Sequence, residues 1–329
     1  MYPSTNYSHD VELKKNKYGE LGLFAKNPID EGDIVCYFAI NNLVTSDANV
    51  IEKLKKSLSG IIPDSNIAKF SLALNILYHP KKYDFINKYI LQNYSPYKPF
   101  LFRDTEMKLL KDTAVYYLTR TEKLYFELML TQYRNYESDI TYNAEHKLRV
   151  IYSFCMSKAH NIQLQDVLMA CINPSSVINH TYNETYPKLK HEIQDNKWTV
   201  FADKNYEPGE EILDCYRLGT VMSHPYYKTL QFNDWKIPMA VSAGFSFDDQ
   251  IIPNMGFVLN GELNENKMKL LDKIYSDERL DELRQTTGDK RYMGCLKVSL
   301  QLLELEKKYY NLFKESLKKN MTDVNLEIA

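Results

Sequence analysis

Residues 172–186 read INPSSVINHTYNETY, and the Asn179-His180 pair within them decides how the rest of the chain is assembled. An apolar couple, Val177-Ile178, leads straight into two side chains that can donate and accept hydrogen bonds. The stretch lacks helical apolar spacing and reads as non-helical, the end of strand-like sequence over 165–180. Alone, the dipeptide is uninformative. It is either an ordinary strand end or one edge of a binding site whose other edges lie elsewhere in the chain.

Two other segments share its strand-and-turn character. In YGELGLFAKNPIDEGDIVCYFAI (18–40), glycines at 19, 22 and 32 and Pro28 punctuate strand-like runs at 22–26 and 33–39. Gly19 and Gly22 carry no Cβ, which lets backbone approach a ligand, although an ordinary β-turn explains them equally well. The spacing is not G-x-G-x-x-G, so no dinucleotide fingerprint is met. In WTVFADKNYEPGEEILDCY (198–216), a strand over 197–203, a Pro-Gly turn and a second strand over 212–216 end on Tyr216.

Between these segments the apolar spacing becomes helical. VIEKLKKSL (50–58) and NIAKFSLALNILYH (66–79) step by three and four, as at Ile67, Phe70, Leu74 and Leu77. Further helices are read at 82–94, at 104–113 with Asp104 as N-cap, at 122–136 and at 144–158. The last third is mostly helical, with 277–287 and 292–319 clearest. There Leu302, Leu305, Tyr309 and Leu312 form an apolar stripe suited to packing on the protein's own helices. No internal repeat stands out. Two strand groups split by a helical block most economically close into one β-rich domain.

Composition narrows the chemistry. The 329 residues include 41 Lys+Arg and 43 Asp+Glu, a formal net charge of −2, so no global field draws the chain to nucleic acid or an anionic membrane. KLKK at 53–56 and KHEIQDNK at 190–197 are short or mixed in sign and read as solvated faces. The 5 Cys include no C-x-x-C pair, and HEIQD at 191–195 lacks the second His of a zinc motif, so no metal is expected. The N-terminus has no apolar signal core, and no run is long enough to span a bilayer. The expected address is cytoplasmic or nuclear.

Taken in order, the three strand segments resemble the SET-domain protein methyltransferases. The resemblance rests on Gly22-Leu23-Phe24-Ala25, Ile29 and Gly32-Asp33-Ile34; on Asn179-His180; and on Ala202, Tyr206, Gly209-Glu210-Glu211-Ile212 and Tyr216. The helical block 70–113 and YSFCMSKAHNI (152–162) are similar to the insert of the Rubisco large-subunit methyltransferase-like class. The resemblance covers about 18–216 and is architectural beyond that. It implies an α+β fold, a β-rich SET domain with a pseudoknot, a helical insert and a mostly α-helical C-terminal domain. The implied boundaries are 1–48 and 163–235 for the two SET parts, 49–162 for the insert and 236–329 for the C-terminal domain.

The class uses S-adenosyl-L-methionine to methylate a lysine, or in some members a histidine, of a protein substrate. Carried over by position, Glu20, Leu21 and Gly22 form the turn that contacts the cofactor, largely through backbone. Asn179 and His180 hold its amino-acid and adenine ends, Lys158 stands where the class has an Arg, and the Tyr216 hydroxyl faces the methyl-transfer centre. The C-terminal helical domain would engage the protein substrate or partner. Four positions depart from the pattern: Ser176 for an Asp, Lys158 for the Arg, Arg217 for a Gly, and Leu230 for an aromatic within SHPYYKTLQF (223–232). These departures keep open a second reading, a catalytically inactive SET-fold protein serving as an interaction or structural subunit.

Overall fold

The computed structural model of the protein describes residues 6–16, 21–40, 43–84, 86–88, 96–136, 141–164, 167–180, 189–214, 258–259, 262–263 and 265–327. The chain divides into two compact units: Met1–Ser95 with Glu122–Tyr216, and Pro96–Thr121 with Arg217–Ala329. The fold is α+β, with small sheets and many helices.

The first unit contains eleven described strands: β1 (Asn6–Tyr7), β2 (Val11–Lys15), β3 (Leu21–Ala25), β4 (Ile34–Ala39), β5 (Val44–Thr45), β6 (His160–Leu164), β7 (Val167–Ile172), β8 (Asn179–His180), β9 (Lys190–Gln194), β10 (Lys197–Phe201) and β11 (Glu211–Asp214). They form three sheets, ordered β1-β4-β10-β9, β2-β3-β11-β8 and β5-β7-β6. The runs expected at 22–26 and 33–39 are β3 and β4. The expected strand at 165–180 is shorter. After β7, Asn173 caps a 3-10 turn over Pro174–Val177, with Pro174 at its first positions, so part of the INPSSVINH stretch is helical after all. The Asn-Pro start signal outweighs the β-branched residues around it.

The sequence shows no repeat, yet the structure uses one turn twice. Ala25, Ile29 and Gly32 share the spacing of Ala202, Tyr206 and Gly209, and the two loops bond each other reciprocally. The Gly32 N–H donates to the Ala202 carbonyl (3.0 Å) and the Gly209 N–H to the Ala25 carbonyl (2.7 Å). Ile29 and Tyr206 exchange both backbone bonds, at 3.1 and 2.9 Å. Each loop needs its glycine because φ is +90° at Gly32 and +88° at Gly209, where a Cβ is strained. This double turn ties β3 and β4 to β10 and β11.

Helices complete the unit. Asp47 caps α1 (Ala48–Leu58) by accepting from the Asn49 and Val50 N–H groups, and Ile51, Leu54 and Leu58 form its buried face. In α2 (Asp64–Tyr78) the buried residues run nearly all round, from Asn66 through Ala68, Phe70 and Leu72 to Ile76, the pattern of a central helix. Phe70 is fully buried and meets the rings of Phe126 (5.6 Å), Tyr133 (6.5 Å) and Tyr152 (6.0 Å). The Asn66 carboxamide donates to both Glu122 oxygens, at 3.2 and 3.0 Å.

Two helix starts differ from the sequence reading. Asp104 is the first residue of α3 (Asp104–Met107) rather than its cap, because Glu106 reaches back to the Arg103 N–H at 2.8 Å. The helix expected from residue 122 begins at Ala114, as α4 (Ala114–Tyr136). Thr113 Oγ1 accepts from the Tyr116 N–H (3.1 Å), and Glu306, 191 positions away, accepts from the Val115 N–H (2.8 Å). The helix expected over 144–158 is α5 (Tyr142–Lys158). Most of 82–94 lies outside the described residues.

The second unit takes its described helices from α3, the start of α4, α6 (Glu265–Ile274), α7 (Asp277–Arg284) and α8 (Lys290–Glu327). Its core is apolar but cross-braced. Buried Glu106 receives the Arg291 guanidinium at 2.8 and 3.1 Å, and buried Glu306 also accepts from the Tyr275 hydroxyl. Tyr310 donates to Asp272 at 2.9 Å. Of the expected apolar stripe, Leu302 is buried; the side chains of Leu305, Tyr309 and Leu312 lie outside the described residues.

Candidate functional site

The sheet β2-β3-β11-β8 brings three distant segments together. Leu213 and Asp214 of β11 pair in parallel with Asn179 and His180 of β8, while Glu211 and Ile212 pair antiparallel with Phe24 and Leu23 of β3. From this edge the Asn179 side chain reaches across to β3. Its Nδ2 donates to the Leu21 carbonyl (3.2 Å) and to Glu211 Oε1 (2.8 Å). Its Oδ1 accepts from Lys158 Nζ (3.1 Å), at the last residue of α5. Asn179 is 6% exposed, and these bonds fix the orientation of its carboxamide.

Gly22 forms the floor. A Cβ there would lie 2.5 Å from Glu211 Oε1, closer than real Cβ contacts come, and 3.0 Å from Asn179 Nδ2, a tight contact. Asn16 Nδ2 adds a fourth bond to the cluster, to Glu211 Oε1 at 3.3 Å. Thus Leu21, Gly22, Lys158 and Asn179, all nominated from sequence, meet in one place. His180 contributes backbone pairing to Asp214. Glu20, Tyr216, Arg217 and the 223–232 segment lie outside the described residues, as does the chain after Asp214 that would complete the pseudoknot.

Sequence reasoning missed Glu211 and Asn16. The period-2 alternation of β11 was the available signal, since it sets Glu211 and Leu213 on the face opposite Ile212 and Asp214. What the pattern cannot show is which of those faces meets Gly22. Ser176, standing where the class has an Asp, is 1% exposed and serves its own turn: its Oγ accepts from the Asn173 N–H (3.1 Å) and its N–H donates to Asn173 Oδ1 (3.1 Å).

A second polar group lies on the other face of β11, also missed. Trp198 Nε1 donates to His191 Nδ1 (3.1 Å), and His191 Nε2 lies 3.6 Å from Asp214 Oδ2. The His160 ring stands edge-on to Trp198, with centroids 6.2 Å apart. Burial, with help from His191 and Lys158 and against the pull of Asp214, pushes the His160 imidazole down to about 4. The unfolded chain therefore binds a proton here that the folded chain refuses. Stability is full above the ordinary value of 6.5 and falls as pH drops from 6.5 towards about 4. His160→Gln is expected to flatten that part of a Tm-versus-pH curve; an unchanged slope would show that His160 does not set it.

Burial also raises the thiols of Cys36 and Cys171 to about 12 and lifts Cys155 further, so they stay protonated at neutral pH. Among the described residues, no three His, Cys, Asp or Glu side chains are grouped to hold a metal ion, and no helix is long and apolar enough to cross a membrane.

Residues 20–217 match the SET domain family model, and the chain belongs to the SET-domain family. Its fold is similar to that of solved SET-domain structures. The SET domain of LSMT bound to lysine and AdoHcy aligns at TM-score 0.50 and 13% identity, over 95% of this chain and 89% of that one. The same domain bound to methyl-lysine and AdoHcy aligns at TM-score 0.51 and 13% identity, over 96% and 90%. At this identity the likeness is one of fold. No curated protein matches the chain in sequence.

Proposed function

We propose that the protein is an S-adenosylmethionine-dependent methyltransferase acting on a protein nitrogen, a lysine ε-amine or a histidine ring nitrogen. The observation that carries this reading is the convergence of Gly22, Asn179 and Lys158, from three remote segments, on one hydrogen-bonded cluster. The donor set suits the cofactor. Gly22 lets the Glu211 and Asn179 side chains lie against the backbone of β3, the Lys158 ammonium matches a carboxylate, and the Leu21 carbonyl and Asn179 supply polar contacts. The SET-domain structures with the same fold were solved with lysine or methyl-lysine and AdoHcy, which supports lysine as the acceptor.

The cofactor supplies an electrophilic methyl group on a sulfonium. The residues of the chain orient, exclude water and prepare the acceptor. Alignment by itself can lower such a barrier by roughly 7–11 kcal/mol. An acceptor lysine must arrive neutral, and an apolar channel favours that by penalising the charged form. Tyr216, two residues after β11 in sequence, is the residue we assign to orient the acceptor amine and favour the polarised methyl group. Lys158 holds its partner by one point charge, where an Arg would grip with a two-toothed fork. The second unit, with its helices, is the surface we assign to the protein substrate.

One observation favours the alternative, an interaction subunit without catalysis. Ser176 is committed to its own buried turn, so that position offers the site no carboxylate. Radiolabelled methyl transfer from the cofactor to proteins of a cell extract separates the two readings. The enzyme is expected to label a substrate, and Tyr216→Phe to reduce labelling at least about a hundredfold while leaving cofactor binding intact. Absence of labelling together with absence of cofactor binding would leave the subunit reading standing.

A further inference from the structure

The face of β11 opposite Glu211 ends on Asp214, the last residue of the strand and a buried one. Asp214 Oδ2 lies 3.6 Å from His191 Nε2, too long for a direct hydrogen bond but within electrostatic reach. On its other nitrogen His191 is held by the Trp198 indole N–H at 3.1 Å. Both residues belong to the β9–β10 hairpin, closed by Asp195 and Asn196 with φ of +50° and +59°. Two left-handed residues in a row make the tight turn that fixes a hairpin's register. Trp198 is wedged among the rings of Phe38 (5.4 Å), His191 (5.9 Å) and His160 (6.2 Å). The three sheets of the first unit meet at this bracket: β6 supplies His160, the hairpin supplies His191 and Trp198, and β11 supplies Asp214.

Strand β8 depends on that end of β11. It is two residues long, lies at the edge of its sheet, and pairs Asn179 with Leu213 and His180 with Asp214. So short a pairing has few backbone bonds to resist a slip, and a slip of one residue turns every side chain to the opposite face. Asn179 would then leave the Leu21 carbonyl and Glu211. We propose that His191 is a positioning residue of this site: acting through Asp214, it holds the end of β11, and with it the register in which β8 presents Asn179 and His180. This rests on the cofactor reading above. The role needs no contact between His191 and a ligand.

The test is calorimetric titration of the full chain with S-adenosylhomocysteine, with the melting temperature of each variant measured alongside. His191→Leu removes both polar contacts and is expected to weaken binding about tenfold. Asp214→Asn removes the charge and is expected to do the same. Combining the two should cost no more than either alone, because the pair acts as one unit. His191→Gln keeps a polar group for both neighbours and is expected to bind within about threefold of the unaltered protein. A contact that only stabilises the fold would lower the melting temperature and leave the affinity of the folded chain unchanged, which would overturn the proposal. Additive losses in the combined variant, or equal losses with Gln and Leu, would overturn it too. Should His191→Leu not fold, Asp214→Asn decides alone, and an unchanged affinity there rules the role out. If the unaltered protein does not bind S-adenosylhomocysteine, the cofactor reading falls and this proposal falls with it.

Discussion

Asn179→Ala is expected to abolish the rise in melting temperature that S-adenosylmethionine gives the unaltered protein, and to cost stability of its own. At a hundredfold excess over its dissociation constant, a ligand that binds only the folded chain stabilises it by about 2.7 kcal/mol. The Asn179 carboxamide is what aligns the site: it holds the Leu21 carbonyl, Glu211 and Lys158, from two strands and a helix end, at 3.2, 2.8 and 3.1 Å. Alanine withdraws all three bonds at once. Each group left without its partner costs roughly 1–3 kcal/mol, less where water enters the vacated space, so a net loss of about 2 kcal/mol is expected. Scanning calorimetry with and without cofactor reads both effects. A shift that survives in the variant would place the cofactor away from Asn179.

Phe70→Ala is expected to destabilise the first unit by about 3–5 kcal/mol. Phe70 is fully buried at the centre of α2 and has Phe126, Tyr133 and Tyr152 around it, two of them at 6.0 Å or less. The tilted and edge-on rings cannot close over a missing phenyl group without surrendering contacts with each other, so most of the cavity should persist. Tyr78 lies on the same helix with 46% of its surface exposed, and Tyr78→Ala should cost less than about 1 kcal/mol. Urea unfolding with an unchanged slope would measure both. A small loss at Phe70 would mean that the helices repack around the gap.

The legible part of this chain is what short-range pattern encodes. The three-and-four spacing of Ile67, Phe70, Leu74 and Leu77 marks α2, and the runs on either side of Gly32 mark β3 and β4. The Asn-His pair and the strand after Gly209 were read as parts of one site, and Leu21, Gly22, Lys158 and Asn179 do cluster. Errors arose where a distant residue supplied the deciding bond. Glu306 satisfies the first turn of α4, so the helix starts where no local cap had been noticed. Pro174 after Asn173 was a local helix signal, but the β-branched residues beyond it masked the turn. His160 lies far in sequence from the His191–Trp198 hairpin and in a different sheet, and only the packing of the sheets puts its ring beside Trp198.

The Asn179–Leu21 bond spans 158 positions, and β3 finds its β11 partner only after the helices of the intervening block have been made. During synthesis, at about 5–20 residues per second, the first strands therefore wait on the order of tens of seconds before their mates emerge. Closing so long a loop late adds little to its thermodynamic cost but slows the search, because non-local pairing limits the folding rate. The newborn chain thus carries an open strand edge through most of its own translation, a period in which holdase chaperones have the most to protect.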